Sequence, residues 1–351
     1  MKRTGSITIM VLLMMVFVFT VSIFTINSSV TQWHIVENAR TNIQSRMTTD
    51  AKINSLLINH NNFEDVIIPE IYKIIRKNNP PYKSSDGNRD GIPDGSKIDY
   101  NFGPHVKSAN IRLEASKNTF KMAYLPSNYD EVTSIILRIN TEYEGIKDTI
   151  EVKGKVINQL FEIKEPLVTE EKMIQQNLVN EFNTLMNTFE DEIFNHDSKA
   201  TSSVSKINIE GEILINENNI VETLDNFTRN YDYKAKHLLI NAKVSDENIP
   251  IITIEKDSEN ASKIKINGNI YCEGDLIINS PFELEGNLIV NGGKLIINTD
   301  SKPIIRGKVF YRGEEEFNVN DINLSSEKKY IYRYGSYLPG FLDIQIDVIK
   351  R

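Results

Sequence analysis

The sequence predicts an α+β protein with a β-solenoid: a long N-terminal helix packs on a small antiparallel sheet, and a short β-helix-like repeat domain follows. Three observations predict this fold class. An uncharged apolar run lies near the start of the chain, a strand-like alternation follows the helical region, and a glycine-containing pattern then recurs about every twenty residues. The helix is expected to be transmembrane first and exported afterwards.

The apolar run from Ser6 to Ile26 predicts a membrane-spanning helix. It contains no charged residue, and at about 1.5 Å per residue it spans roughly 30 Å, the thickness of the hydrocarbon core. Lys2 and Arg3 precede it, so the positive-inside rule places the N-terminus in the cytoplasm and the bulk of the chain outside. The alternative, a cleaved secretory signal, needs a small-x-small site that the following residues supply poorly. A single-pass anchor retained in the cell membrane and surrounded by lipid is predicted.

Composition excludes several function classes. The formal net charge is -8, and acidic and basic residues are interspersed without a basic block, which argues against a nucleic-acid partner. Cys272 is the single cysteine, so neither an internal disulfide nor a cysteine-based zinc site is expected. Its apolar surroundings predict a buried, unreactive thiol.

The helical pattern continues beyond the membrane as far as Asn61, without proline or glycine. Apolar residues recur there at a spacing of three or four, which predicts a stripe that lies on a globular domain. The stripe comprises Val36, Ala39, Ile43, Met47, Asp50 or Ala51, and Leu57. One continuous helix of about fifty residues is therefore expected.

Region 27–165 changes from helical to strand periodicity along its length. Thr133–Thr141 and Thr149–Ile157 alternate apolar and polar residues and are joined by a short polar link, which predicts an antiparallel hairpin. The region is expected to form one α+β domain. Region 166–205 then predicts an amphipathic helix from about Thr169 to Phe194 and a polar linker. We expect that helix to dock on a sheet and to cap one end of the repeat domain.

Region 206–322 contains the repeat. Ile264–Ile270 matches Phe282–Leu288 at a shift of eighteen residues, and Asp275–Asn279 matches Lys294–Asn298 at a shift of nineteen. Short strands with glycine at a fixed position predict the rungs of a solenoid. Apolar side chains of one rung stack on those of the next, and glycine forms the corner. The alternative is a plain antiparallel sandwich, which does not require such regular spacing.

Further segments extend this pattern. Ile305–Val309 is a third copy of the repeat and Ile207–Ile213 an earlier one. Residues 216–236 break the period and are predicted to form an inserted loop or a short helix. Region 323–351 predicts C-terminal strands, and the strongly alternating segment Gly340–Ile349 is expected to return to the first sheet.

An Asp-rich loop predicts a calcium site. Asp86, Asn88, Asp90 and Asp94 place oxygen side chains at loop positions one, three, five and nine, and the Ile92 carbonyl would add position seven. The loop resembles those of thrombospondin type 3 and dockerin-like repeats, in which the metal orders an extracellular segment. A structural Ca²⁺ ion is the expected cofactor, and the alternative is a solvated turn.

No pattern in the sequence predicts catalysis. Nucleophile-elbow, Walker and dinucleotide-binding motifs are absent. The acidic residues on or beside the repeat alternate along its strands, as on a solvated outer face, and we expect no enzyme activity; they are Asp257, Glu259, Glu273, Asp275 and Glu285. The C-terminal tyrosines predict either an exposed contact surface or cross-strand pairs; they are Tyr330, Tyr332, Tyr334 and Tyr337.

Residues 1–165 resemble a known family. Met1–Gly5, followed by Ser6 and an apolar helix that continues outside the membrane, resembles a prepilin leader that is cleaved after Gly5. Together with the hairpin Ile139–Val152, it is most similar to the PilX-like minor pilins of type IV pilus systems. The resemblance implies a cytoplasmic leader over residues 1–5. Met10 stands where major pilins carry a glutamate, which is compatible with a minor or tip subunit.

The repeat region is similar to bactofilins, which are polymer-forming scaffold proteins. Together, the resemblances imply a structural cell-surface subunit whose N-terminal helix contacts other pilin-like or envelope proteins. A different hypothesis is a membrane-tethered scaffold or binding module that never enters a pilus and holds envelope polysaccharide or a partner protein.

Overall fold

A computed structural model describes residues 4–58, 68–69, 71–72, 97–98, 106–115, 132–143, 145–192, 204–224, 227–232, 237–245, 248–258, 262–315 and 318–350. Its first element is α1 (Thr4–Ile58), a helix of 55 residues. This confirms the continuous helix that was predicted across and beyond the apolar run. Because no proline lies within it, every turn keeps its backbone hydrogen bonds.

An antiparallel sheet follows α1. Its order is β1-β2-β3-β4-β20, with β1 (Lys97–Ile98), β2 (Val106–Ala115), β3 (Val132–Tyr143), β4 (Ile146–Ile157) and β20 (Leu342–Lys350). The strands β3 and β4 form the predicted hairpin, with Gly145 at a φ of +82° in its turn. The last strand pairs with β4, which confirms the expected return of the C-terminal segment.

The chain between β4 and β20 builds the remaining helices and strands. The helices are α2 (Gln159–Glu162), α3 (Glu170–Gln175), α4 (Val179–Glu192) and α5 (Lys328–Gly335), with a 3-10 turn at Val319–Asp321. The strands are β5 (Leu167–Thr169), β6 (Val204–Ile209), β7 (Glu212–Ile215), β8 (Asn219–Leu224), β9 (Phe227–Asp232), β10 (His237–Ala242), β11 (Ile251–Ile254), β12 (Ile264–Cys272), β13 (Asp275–Ile278), β14 (Phe282–Glu285), β15 (Leu288–Val290), β16 (Leu295–Ile297), β17 (Ile304–Ile305), β18 (Val309–Tyr311) and β19 (Asn323–Leu324).

Most of these strands stack in parallel ladders. Ladder 1 runs β6-β10-β12-β15-β18-β5, ladder 2 runs β7-β11-β13-β16, and ladder 3 runs β12-β14-β17-β19. The long strand β12 joins ladder 3 through Ile264–Asn267 and ladder 1 through Gly268–Cys272. Parallel pairing of this kind is not that of a plain antiparallel sandwich.

The repeat predicts the register of these ladders. Ile264 lies opposite Phe282, and Leu276 lies opposite Leu295, as the shifts of eighteen and nineteen residues require. The third copy, Ile305–Val309, joins ladder 3 through Ile305 and ladder 1 through Val309, in the predicted alignment. Residues that match in sequence are therefore hydrogen-bonded neighbours in space.

Glycine is required where successive corners stack. A Cβ atom on Gly286 would lie 1.6 Å from the carbonyl oxygen of Gly268, and one on Gly268 would lie 1.7 Å from that of Leu238. Their φ angles are +158° and +152°. No larger residue allows the backbones to approach this closely.

The earlier repeat copy, Ile207–Ile213, is one corner away from its predicted position. Ile209 lies opposite Ala242, whose other neighbour is Cys272. Gly211 therefore stands between ladders 1 and 2, whereas the alignment placed it between ladders 3 and 1. Glycine occurs at both kinds of corner, so the match of a glycine between alternating strands does not distinguish them.

The prediction of a loop or short helix over residues 216–236 is wrong. Within the described part of this segment, β8 and β9 form an antiparallel hairpin that extends ladder 2 beyond β7. Ile220 and Glu222 of β8 are buried. Glu222 accepts hydrogen bonds from the backbone N–H of Glu210 at 3.0 Å and from the hydroxyl of Tyr231 at 2.8 Å.

The amphipathic segment Thr169–Phe194 was expected to be one helix that caps the repeat, and both expectations are wrong. A turn at Asn177, with a φ of +58°, separates α3 from α4. The helix α4 lies along the outer face of ladder 1, where the ring centroids of Phe189 and Phe310 are 5.8 Å apart. The strand at the end of ladder 1 is β5, which pairs with β18.

The C-terminal tyrosines are buried, which contradicts both the exposed surface and the cross-strand pairs. Tyr330, Tyr332 and Tyr334 belong to α5, and Tyr337 lies in the turn after it. Region 323–351 thus contains a helix as well as strands. A spacing of two is typical of a strand, but α5 is buried around much of its circumference and tolerates apolar rings on several sides.

Alternate residues of ladder 1 enter different hydrophobic cores. Leu238 and Ile240 point between the ladders, and Leu239 points outward. The outward core continues through α2, α4 and α5 to the antiparallel sheet. A shared core therefore connects the two sheet regions.

Candidate functional site

The N-terminal helix offers the candidate functional surface. Among the described residues, α1 is the one helix long and apolar enough to cross a membrane. The large side chains between Ile7 and Ile26 are all exposed. Gly5 and Ser6, the predicted processing residues, belong to the first turns of this helix.

Beyond the apolar run, a stripe of small hydroxyl residues attaches α1 to the antiparallel sheet. Thr41, Ser45 and Thr49 are buried and follow one another at a spacing of four, which places them on one helix face. The Ser45 hydroxyl donates to the Ile146 carbonyl at 3.4 Å. The hydroxyls of Thr49 and Thr141 also form a hydrogen bond.

The prediction that the apolar stripe faces the domain is wrong. Val36, Ile43 and Met47 are 65%, 59% and 66% exposed, and Ala39 is exposed as well. The sheet meets α1 with a hydroxyl and a carbonyl, which require hydrogen-bonding partners, so the hydroxyl face packs inward. The spacing of Thr and Ser was visible in the sequence. The side chain of Leu57 lies outside the described residues.

The exposed stripe and the hydroxyl stripe occupy opposite sides of α1. Ile43 and Ser45 are two residues apart, which corresponds to a rotation of about 200° at roughly 100° per residue. We call the set Val36, Ala39, Ile43 and Met47 the apolar stripe. It faces away from the sheet and begins at Val36, next to Glu37, the first charged residue that follows the apolar run.

The acidic residues beside the repeat are bound to separate partners. Glu285 pairs with Lys265 at 2.8 Å, and Glu273 accepts from the Tyr271 hydroxyl at 2.7 Å. Asp275 accepts from the backbone N–H of Lys294 and Asp257 from the Asn216 amide, each at 2.8 Å. The described carboxylates therefore do not converge on one point, and Glu259 lies outside the described residues.

Lys308 is a buried lysine that sequence reasoning missed. Its ammonium group donates to the backbone carbonyls of Ile163 and Glu165, the latter at 2.7 Å. These carbonyls belong to the segment that leads from α2 into β5. Burial lowers the pKa of Lys308 to about 8, although the nearby Glu165 carboxylate opposes that shift.

The proposed calcium ligands lie outside the described residues; they are Asp86, Asn88, Asp90, Ile92 and Asp94. Within the described ranges, no group of three or more His, Cys, Asp or Glu side chains is placed to hold a metal ion. Cys272 is fully buried, as predicted, and burial raises the pKa of its thiol to about 12. It is therefore unreactive at neutral pH.

The outer face of ladder 2 carries a row of uncharged side chains. Leu214, Thr253, Ile277 and Ile296 lie side by side on successive strands and are each partly exposed. The corresponding face of ladder 1 is covered by α4, whereas no described helix packs on this row.

Comparison with family models, with curated proteins and with solved structures finds no match for this chain.

Proposed function

We propose that this chain is a non-enzymatic structural subunit of the minor-pilin type, part of a type IV pilus or a related secretion or surface assembly. It would span the cell membrane once, with its N-terminus in the cytoplasm and its sheets outside. The observation that carries this proposal is the apolar stripe of α1, which extends an apolar helix surface beyond the membrane.

An exposed stripe of this kind favours a helix partner. Burying a large aliphatic side chain contributes roughly 1.5–3 kcal/mol, so Val36, Ile43 and Met47 together provide a substantial driving force for association. Their spacing along one face suits packing against another helix that emerges from the membrane alongside α1. Other pilin-like or envelope proteins are the partners that this surface fits.

The parallel ladders support a β-solenoid as the displayed part. The chain passes from ladder 3 to ladder 1 and then to ladder 2 within Ile264–Ile278, and it repeats this order within Phe282–Ile297. Winding of this kind stacks equivalent side chains on each turn. The resemblance to bactofilins points to the same architecture.

Calcium is a proposed structural ligand of the Asp86–Asp94 loop. Asp and Asn oxygens with a glycine between them suit a hard cation. Calorimetric titration of the exported region with Ca²⁺ tests this proposal, and Asp90→Ala is expected to abolish the binding heat. Binding that survives this change would exclude the loop as the site.

Cysteine cross-linking tests the role of the apolar stripe. Cys272 is buried, so a single cysteine placed on α1 is the only accessible thiol among the described residues. In native membranes, Ile43→Cys carrying a thiol-attached photo-cross-linker is expected to form covalent products with other pilin-like or envelope proteins. Asn42→Cys is a matched control, since Asn42 is exposed and adjacent but points about 100° away. Equal cross-linking of both variants would contradict a helix contact through the stripe.

A membrane-tethered scaffold or binding module is the second candidate. The uncovered row Leu214, Thr253, Ile277 and Ile296 favours it, because a partly apolar face on a rigid stack can hold a polysaccharide or a protein. In that case α1 serves only as an anchor. Ile43→Cys would then yield monomers in the membrane.

A further inference from the structure

The uncharged part of α1 is longer than a membrane interior requires. No charged side chain lies between Arg3 and Glu37. At about 1.5 Å per residue this stretch spans roughly 50 Å, whereas the hydrocarbon core is about 30 Å thick and the whole bilayer about 40–45 Å. Part of the uncharged helix must therefore lie at the level of the lipid headgroups.

The composition of α1 changes where the apolar run ends. Asn27–Gln32 is mostly polar but uncharged. The hydroxyl of Thr31 donates to the Asn27 carbonyl at 2.8 Å, so it is satisfied by the helix itself. Trp33 follows, the single tryptophan of the chain, with 61% of its surface exposed. Its ring contacts His34 edge-on at a centroid distance of 5.2 Å.

We propose that Asn27–Val36 lies in the headgroup layer of the outer leaflet and that Trp33 anchors α1 at this depth. Trp33 is seven residues beyond Ile26, which is about 10 Å along the helix. Tryptophan favours this interface because its ring is largely apolar while its indole N–H requires a polar partner. This inference rests on the proposed membrane anchoring of α1.

A lipid contact at Trp33 fixes the height of the folded region. Thr41, the first residue buried against the sheet region, is eight residues further on, or about 12 Å above Trp33. The antiparallel sheet then stands directly on the membrane surface. Before assembly, the apolar stripe would begin where the lipid ends.

Tryptophan fluorescence of the full chain in phosphatidylcholine vesicles tests this placement, because Trp33 is the only source of the signal. Lipids brominated near the headgroup end of the acyl chain are expected to quench it at least about twofold more than lipids brominated near the chain terminus. A matched deep reference combines Trp33→Phe with Phe17→Trp, which moves the indole to the middle of the apolar run. This variant is expected to show the opposite preference.

Flotation of the same vesicles on a density gradient tests the membrane anchoring of α1 separately from the interfacial contact of Trp33. If the chain floats with lipid but Trp33 is not quenched, the interfacial contact is wrong and the anchor stands. Preferential quenching of Trp33 by deep bromines would also overturn the contact, because Trp33 would then lie in the hydrocarbon core, several residues deeper than proposed. A chain that fails to float would overturn the anchor itself.

Discussion

Lys308 occupies a position at which the two preceding repeats carry asparagine. It follows the corner glycine, as do Asn269 and Asn287, and the Asn287 side-chain amide donates to Asn269 Oδ1 at 3.0 Å. The backbone N–H of Lys308 continues this row by donating to Asn287 Oδ1 at 3.0 Å. Its side chain points away from this row and donates hydrogen bonds to the carbonyls of Ile163 and Glu165, in the segment before β5.

The titration of Lys308 predicts a pH dependence of stability. Its pKa falls from 10.5 to about 8 on folding, so between these values the unfolded chain binds more protons than the folded one. The contribution of Lys308 to the free energy of unfolding therefore rises as the pH increases through this window, by on the order of 3 kcal/mol. Below about pH 8 its desolvation cost is constant.

Lys308→Met removes this titration. Denaturant unfolding of the wild type and the variant at pH 7.5 and pH 10.5 measures the effect, and the difference in unfolding free energy should shift in favour of the wild type at the higher pH. The same difference at both values would mean that the ammonium group is well solvated.

Gly286 tests the close approach of successive corners. Gly286→Ala places a Cβ atom against the Gly268 carbonyl oxygen at 1.6 Å, so the backbones must separate. A loss of several kcal/mol in unfolding free energy is expected. Gly145→Ala is the matched control, since Gly145 also has a positive φ but no atom lies within 4 Å of the added carbon. That change should cost only about 1 kcal/mol. Equal losses would show that φ, not the clash, demands glycine.

At the scale of elements, strand signals in the sequence were more informative than helix faces. Matching strands such as Ile264–Asn267 and Phe282–Glu285 are parallel neighbours because apolar side chains occur at equivalent positions in consecutive repeats. The apolar stripe of α1 was assigned to the wrong surface, since a hydrophobic pattern identifies a contact face without naming its partner. The tyrosine helix α5 was missed because its two-residue spacing mimics a strand.

The inward orientation of the repeat predicts the outcome of a buried charge. Ile266 is fully buried between the ladders, so Ile266→Asp places a carboxylate in an apolar core. This change should destabilise the fold and abolish the cooperative melting transition at the wild-type melting temperature. Lys265→Ser changes the adjacent, outward-facing side chain, removes only its exposed ion pair with Glu285, and should alter stability by no more than about 1 kcal/mol. Circular dichroism during heating measures both variants. An unchanged melting curve for Ile266→Asp would contradict the inward assignment.

At the scale of the whole molecule, the two sheet regions are joined through aromatic packing. The Phe161 ring lies 4.9 Å from that of Phe310 in ladder 1 and 5.0 Å from that of Phe341 beside β20, measured between centroids. The backbone N–H of Asn158 also donates to the Phe341 carbonyl at 2.9 Å. The sequence predicted two regions and a returning strand, but contacts between residues so distant in the chain have no local pattern.

The sequence indicates a candidate surface only in part. It identified the apolar residues of α1 but not their exposure, because hydrogen-bonding groups on the sheet determine which helix face packs inward. The Asp86–Asp94 loop remains a prediction from its spacing alone. The long apolar helix, by contrast, is predictable from composition, and the described helix α1 is long and apolar enough to cross a membrane.

The mass of the N-terminal peptide of the protein, recovered from its native membrane, tests the minor-pilin proposal most directly. A minor pilin is expected to begin at Ser6, with the residues up to Gly5 removed and with the new N-terminus methylated. A chain that still begins at Met1 would contradict processing as a pilin and would leave α1 as a permanent anchor.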